Sequence, residues 1–287
     1  RTGVREDRDR REMFALATRS RTLTNTRRYF SANKTQQRSL STPVIVSAQR
    51  TPIGSFMGGL SSLSATQLGS IAIKSAVSKS GLTANDVQEV YMGNVIATGL
   101  GQAPARQASI GSGISSSVPC TTVNKVCASG MKSIMFAAQS IKLGDNRTIV
   151  AGGMESMSNI PYVVAKGRQG YRYGHGEFTD ALMADGLTDV YNEKHMGWCA
   201  EQTAKKYSIS REAQDAFAIQ SYERSKVATE AGLFDEEIIP VVIPNRRGDP
   251  TIVKVDEEFT NINLAKIPKL RPAFDKEGTV TAANAST

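Results

Sequence analysis

The chain is poor in the residues from which many sites are built. Its 287 residues hold three cysteines, Cys120, Cys127 and Cys199, and two histidines, His175 and His195. Three cysteines without paired spacing give no support for a zinc site and fit a reducing compartment. No apolar run is long enough to span a membrane. The glycine pair Gly152-Gly153 lacks the Lys-Ser/Thr that would make it a phosphate loop. Acidic residues are missing over a long stretch, with no Asp or Glu between Glu12 and Asp86.

That last absence locates the charge. The net charge of +8 would suit a nucleic-acid partner if it were spread over the chain. Residues 1–42 alone carry 10 Arg, 1 Lys and 4 acids, whereas the remainder carries 24 basic and 23 acidic residues. The body is near neutral, which disfavours nucleic acid. Residues 1–42 are expected to be a leader. From Met13 the segment is rich in Arg, Ser and Thr and free of acid, the composition of a mitochondrial targeting segment, against the alternative of a disordered basic tail. Met13 is the expected natural start, with residues 1–12 as upstream sequence.

The body alternates strands and helices. Val44–Ala48 is a continuous apolar run, expected to be a fully buried strand. Ala65–Ser80 carries Leu68, Ile71, Ala72, Ser75 and Ala76 on one face and is closed by Gly81, as a helix would be. Val87–Ile96 reads as a strand, Ala103–Ile110 as a short helix, Thr121–Val126 as a strand, Ser129–Leu143 as a helix stopped by Gly144, and Thr148–Ala151 as a buried strand. This alternation predicts an α/β domain with a mostly parallel sheet. Lys166–Glu177 has four glycines among basic and aromatic residues and reads as a loop. Ser210 caps a helix that runs to Gly232, and Val241–Ile243 with Thr251–Val255 reads as a hairpin.

Cys127 falls where a strand becomes the first turn of a helix. Unpaired amides and the helix dipole favour a thiolate there, Lys125 adds to the field, and Ala128, Ser129 and Gly130 leave the sulfur accessible. Those are the requirements of a nucleophile. A buried cysteine that merely fills space is the competing reading, and no partner base lies nearby in the sequence.

Asn124-Lys125-Val126-Cys127-Ala128-Ser129-Gly130-Met131-Lys132 resembles the active-site cysteine segment of the thiolases, most of all the mitochondrial acetoacetyl-CoA thiolases (acetyl-CoA acetyltransferases), and Gly152–Ser158 resembles their GGMESMS element beside the active site. The likeness runs over nearly all of Val44–Thr287. It implies a thiolase-like α/β fold, with an N-terminal α/β half-domain at 43–162 and an inserted loop domain at 163–287. The implied reaction joins two acetyl-CoA into acetoacetyl-CoA and free coenzyme A through a Cys127 acyl-enzyme.

The resemblance also implies site residues. His195-Met196 would lie near the thioester sulfur, while Lys266, Asn261, Asn263 and Ser286 occupy coenzyme-contacting positions. Tyr222, with the carbonyls of Ala282, Ala283 and Ala285, would surround a potassium ion. Coenzyme A is a substrate, and no covalent cofactor is implied. The family further implies a homotetramer in the mitochondrial matrix. His195-Met196 argues against a degradative 3-ketoacyl-CoA thiolase; a non-catalytic half-thiolase that occupies a subunit position is the other alternative. The activating histidine, the asparagine-held water and the acid/base cysteine of the family come from a C-terminal repeat that finds no match here. The expected consequence is a chain that turns over negligibly alone and exposes an apolar sheet edge and face.

Overall fold

The computed structural model describes residues 42–286. The expected targeting segment and the expected start at Met13 lie outside the described residues.

Three parallel strands form the central sheet, in the order β2 (Cys120–Val123), β1 (Glu89–Gly93), β3 (Ile149–Gly153). Their register pairs Gly93 with both Val123 and Gly153, so all three end level. Between them run α1 (Ala65–Lys79), α2 (Pro104–Gly111) and α3 (Ser129–Leu143). Side chains alternate across a strand, and β1 shows it: Val90 and Met92 enter a buried cluster with Ala65 and Ile73 of α1 and Ala105 and Ala108 of α2. Tyr91 points the other way and meets Phe136 of α3, with ring centroids 5.9 Å apart. The sheet is thus sandwiched between α1 with α2 and α3. Local chemistry fixes the helix ends: Ser64 and Gln67 form a reciprocal capping box on α1, and Gly144 closes α3 in the left-handed region at φ 76°.

One expectation fails. Val44–Ala48 belongs to no strand, and Val44, Ile45 and Val46 are 72%, 78% and 63% exposed. An apolar run becomes a buried strand only where neighbours supply both hydrogen bonds and cover; here pairing begins at Arg50, whose backbone bridges the segment around Ile238. Val87–Ile96 likewise contracts to Glu89–Gly93, because Asn94–Ile96 turns away to bind other groups.

Beyond Ser156 the strands become short. Two-residue ribbons pair β4 (Tyr162–Val163) with β5 (Thr179–Asp180) and β6 (Thr188–Asp189) with β7 (Lys194–His195). Lys166–Glu177 between them is irregular, as expected of its glycines. Helix α4 (Met196–Lys206) and the capped helix α5 (Arg211–Glu230) follow, then the hairpin β8 (Val241–Ile243) with β9 (Thr251–Val253), the short α6 (Glu258–Asn261) and a 3₁₀ turn over Leu264–Lys269. A clasp joins this later part to the start: Arg50 grips Asp256 through both terminal nitrogens, at 2.8 and 3.0 Å, and Glu237 through Nε at 2.7 Å.

Candidate active site

Cys127 occupies the turn between β2 and α3 and is exposed. The turn is tight because Val126 takes φ +50°. For a β-branched residue that conformation is strained, at roughly 1–3 kcal/mol, and persists only if its surroundings enforce it. They do. The Val126 N–H donates to Asn124 Oδ1 at 2.9 Å, and its carbonyl accepts from Ser129 Oγ at 2.6 Å. Ser129 Oγ in turn accepts from the Lys125 N–H at 2.8 Å. Ser129 is almost wholly buried, so its hydroxyl acts as an internal strut beneath the cysteine.

The helix behind the cysteine is seated directly on the sheet. A Cβ at Gly93 would lie 2.6 Å from the Gly130 nitrogen and from the Ser129 carbonyl carbon, and one at Gly153 would lie 3.3 Å from the Gly130 Cα. The glycine pair after β3 therefore serves close backbone packing. Past it, Met154 is buried, and Glu155 turns inward to accept from the Val95 N–H (2.8 Å), Asn94 Nδ2 (2.9 Å) and the Ile96 N–H (3.4 Å). Burial raises the Glu155 carboxyl above its ordinary value, against the lowering effect of these donors. Ser156 and Asn159 tie the element to the Leu63 carbonyl.

A second group of residues gathers around α4 and α5. His195 caps α4: its Nδ1 accepts from the Gly197 N–H at 2.9 Å, which makes Nε2 the donor nitrogen of the neutral ring. The ring stacks on Phe274 at 4.9 Å. Phe274 is held because the Ala273 N–H donates to the Val280 carbonyl, while buried Glu201 of α4 accepts from the Thr279 and Val280 amides. On α5, Arg211 donates to the carbonyls of Ile267 and Leu270, which fixes the segment bearing Lys266. The Tyr222 hydroxyl donates to the Ala283 carbonyl at 3.4 Å, and Asn284 is pinned by buried Asp215.

The expected residues thus fall into sets. Tyr222 and Ala283 are in contact, and Ala282 and Ala285 share the turn of Ala283. His195 and the 279–284 return are linked through Phe274 and Glu201. Asn261 reaches Ser55 Oγ at 3.2 Å, near the start of the body. Met196 and Ser286 are exposed, and Asn263 begins the turn that carries Lys266. No hydrogen bond, ion pair or ring contact among the described residues joins Cys127 to His195. Asn124, Glu155 and Phe274 escaped the sequence reading of individual sites, and Ser129 was read only as a small residue, without its hydroxyl's bonds. Asn124 alone left a local sign, an Asn two residues ahead of the amide it caps.

A parallel sheet with an exposed cysteine at a strained strand-to-helix turn, at the level carboxyl ends of its strands, defines an α/β protein whose candidate site lies where such sheets place ligands. Residues 43–287 match the family described as "Thiolase, N-terminal domain", and the chain belongs to the thiolase family. It is 56% identical over 273 residues to acetyl-CoA acetyltransferase A, mitochondrial, of Xenopus laevis, covering 95% of this chain and 64% of that protein. It is also 56% identical over 261 residues to the Homo sapiens mitochondrial acetyl-CoA acetyltransferase, covering 91% of this chain and 61% of that one. A crystal structure of Acat5 thiolase from Ascaris suum in complex with coenzyme A superposes with a TM-score of 0.79 at 45% identity, over 85% of this chain and 62% of that one. The chain spans about three fifths of the length of these relatives.

Proposed function

We propose that this chain provides the nucleophile half of a mitochondrial acetyl-CoA C-acetyltransferase, with the body divided into an α/β domain at 43–162 and a loop domain at 163–287. The observation that carries the reading is the exposed Cys127 on its enforced turn, α3 running behind it. The thiolate attacks the thioester carbonyl of acetyl-CoA, and a tetrahedral intermediate forms. Its carbon–sulfur bond to coenzyme A breaks, so that coenzyme A leaves as a thiolate, which takes up a proton, and the acetyl group stays on Sγ. A second acetyl-CoA, deprotonated at its methyl group, then attacks the acetyl-enzyme, releasing acetoacetyl-CoA and restoring Cys127.

His195, through the donor nitrogen left free by its cap, steadies the thioester end, and Met196 packs beside it. Lys266, Asn261, Asn263 and Ser286 line the coenzyme path; Lys266 suits a phosphate. The turn 282–285 with Tyr222 offers carbonyl and hydroxyl oxygens alone, a donor set that suits a hard cation, so potassium would be held by Tyr222, Ala282, Ala283 and Ala285 and would stiffen that turn. The base and the second cysteine of the family belong to a C-terminal repeat, and the full reaction, the homotetramer and the matrix location are read for the protein that includes it.

A second reading has its own support. Val44–Val46 and, on α3, Met131, Ile134 and Met135 are exposed, so the chain presents apolar surface suited to a subunit of a larger assembly. One experiment separates the two. Incubation with acetyl-CoA followed by peptide mass analysis is expected to find one acetyl group, on Cys127 and absent from Cys127→Ser, together with negligible turnover by the chain alone. Full-length subunits co-purifying with a chain that never takes the acetyl group would favour the interaction role, and acetylation of Cys120 or Cys199 instead would overturn the assignment of the nucleophile.

A further inference from the structure

The nucleophile turn is tied to the element that follows β3 through a continuous run of hydrogen bonds. Glu155 clamps the Asn94–Ile96 loop from one side, accepting from the Val95 N–H, the Ile96 N–H and Asn94 Nδ2. From the other side the same loop holds the cysteine turn: Asn124 Nδ2 donates to the Val95 carbonyl at 2.9 Å, and Asn124 Oδ1 accepts from the Val126 N–H at 2.9 Å. The Val95 carbonyl and the Ile96 N–H are the two ends of one peptide unit. A carboxylate at its N–H end polarises that unit and strengthens the carbonyl as an acceptor, so the Asn124 carboxamide is oriented by a charge on the far side of the loop. The backbone bond from the Asn94 N–H to the Val123 carbonyl, 3.0 Å, keeps the loop in step with β2.

The chemistry of Glu155 matches this task. It is a half-buried carboxylate with three N–H donors and no cation paired to it among the described residues, a costly placement unless the donors are to be held. Its partners are all in one loop, and that loop accepts the Asn124 side chain of the cysteine turn at the Val95 backbone carbonyl.

We propose that Glu155 is a positioning residue for Cys127, acting through the 95–96 peptide and the Asn124 carboxamide to hold Val126 in the left-handed conformation that presents the sulfur. This rests on Cys127 being the nucleophile.

The test measures the pH profile and rate of iodoacetamide alkylation of each cysteine in the full chain, by peptide mass analysis, alongside the acetylation of Cys127 by acetyl-CoA. Glu155→Ala removes the clamp; Asn124→Asp keeps the oxygen that caps Val126 but loses the donor to Val95, and its site is exposed, so the fold is retained. Each variant is expected to slow Cys127 alkylation by about tenfold or more, to leave Cys120 and Cys199 unchanged, and to show no further loss when combined. Glu155→Asp, which retains a carboxylate, is expected to recover part of the rate. A Cys127 rate within about twofold of the parent in Asn124→Asp overturns the proposal, as does additive slowing in the double variant. Should Glu155→Ala also speed Cys120 and Cys199, the fold has loosened and Asn124→Asp alone decides. Alkylation reports the presentation of the sulfur, whereas acetylation reports its role, so a parent chain that alkylates as expected and never acetylates would remove the nucleophile reading and leave the positioning result intact.

Discussion

Replacing Gly93 by alanine tests how α3 is seated. The new methyl would lie 2.6 Å from the Gly130 nitrogen, 2.6 Å from the Ser129 carbonyl carbon and 2.8 Å from Ser129 Cβ. Two of these atoms are backbone and the third is the root of a buried strut, so no side chain can swing aside. Relief to ordinary contact near 3.4 Å requires α3 to rise from the sheet by roughly 0.8 Å, at the end that carries Cys127. Overpacking of this kind costs about 1–3 kcal/mol, which for a body of this size lowers Tm by roughly 2–12 °C. Thermal unfolding followed by circular dichroism reads the shift, and Gly152→Ala is the control, since its methyl meets only the Met92 side chain, Sδ at an ordinary 3.5 Å and Cε at 3.8 Å. A Gly93→Ala chain as stable as the Gly152→Ala chain would refute the argument that close backbone approach, and no looser packing, sets the height of α3.

Two further outcomes follow from the electrostatics and the proposed cation site. Burial pulls the Asp256 carboxyl upward, but its hydrogen bonds with Arg50 and the Ile53 N–H and the guanidinium charge hold it below its ordinary 3.8. Its contribution to stability is therefore full above about pH 3.8 and disappears as the pH falls through the depressed native value; urea unfolding is expected to separate the parent from Asp256→Asn at neutral pH and to bring them together in acid, and a constant gap would contradict the ion pair's role. Tyr222→Phe removes the donor to the Ala283 carbonyl, so the excess thermal stabilisation of the parent by potassium chloride over sodium chloride is expected to vanish in the variant; equal shifts in both salts for the parent would dispose of the site.

The parts of the fold that could be read from the sequence are those set by local chemistry. Helix α3 begins and ends at the expected Ser129 and Leu143 because a glycine stop and a run of small residues mark its ends, and Ser210 caps α5 by the same logic. Val44–Ala48 could not be read, since a buried strand differs from an exposed apolar segment only in what lies beside it. The place of Cys127 between a strand and a helix was legible from its junction. Its supports were not: the Asn94–Ile96 loop reaches Glu155 about 60 positions away, and the stack of Phe274 on His195 follows from the return of the chain to Val280, a contact without local pattern. Long-range polar partners carry no periodicity.

The clasp between Arg50 and Asp256 spans 206 positions. A ribosome adding about 5–20 residues per second needs roughly 10–40 s between the two. For that interval Arg50 lacks the carboxylate it grips with both terminal nitrogens, whereas the β1–β3 unit with its helices can already form. The order of birth therefore makes Arg50, one of the earliest residues of the body, among the last to find its place.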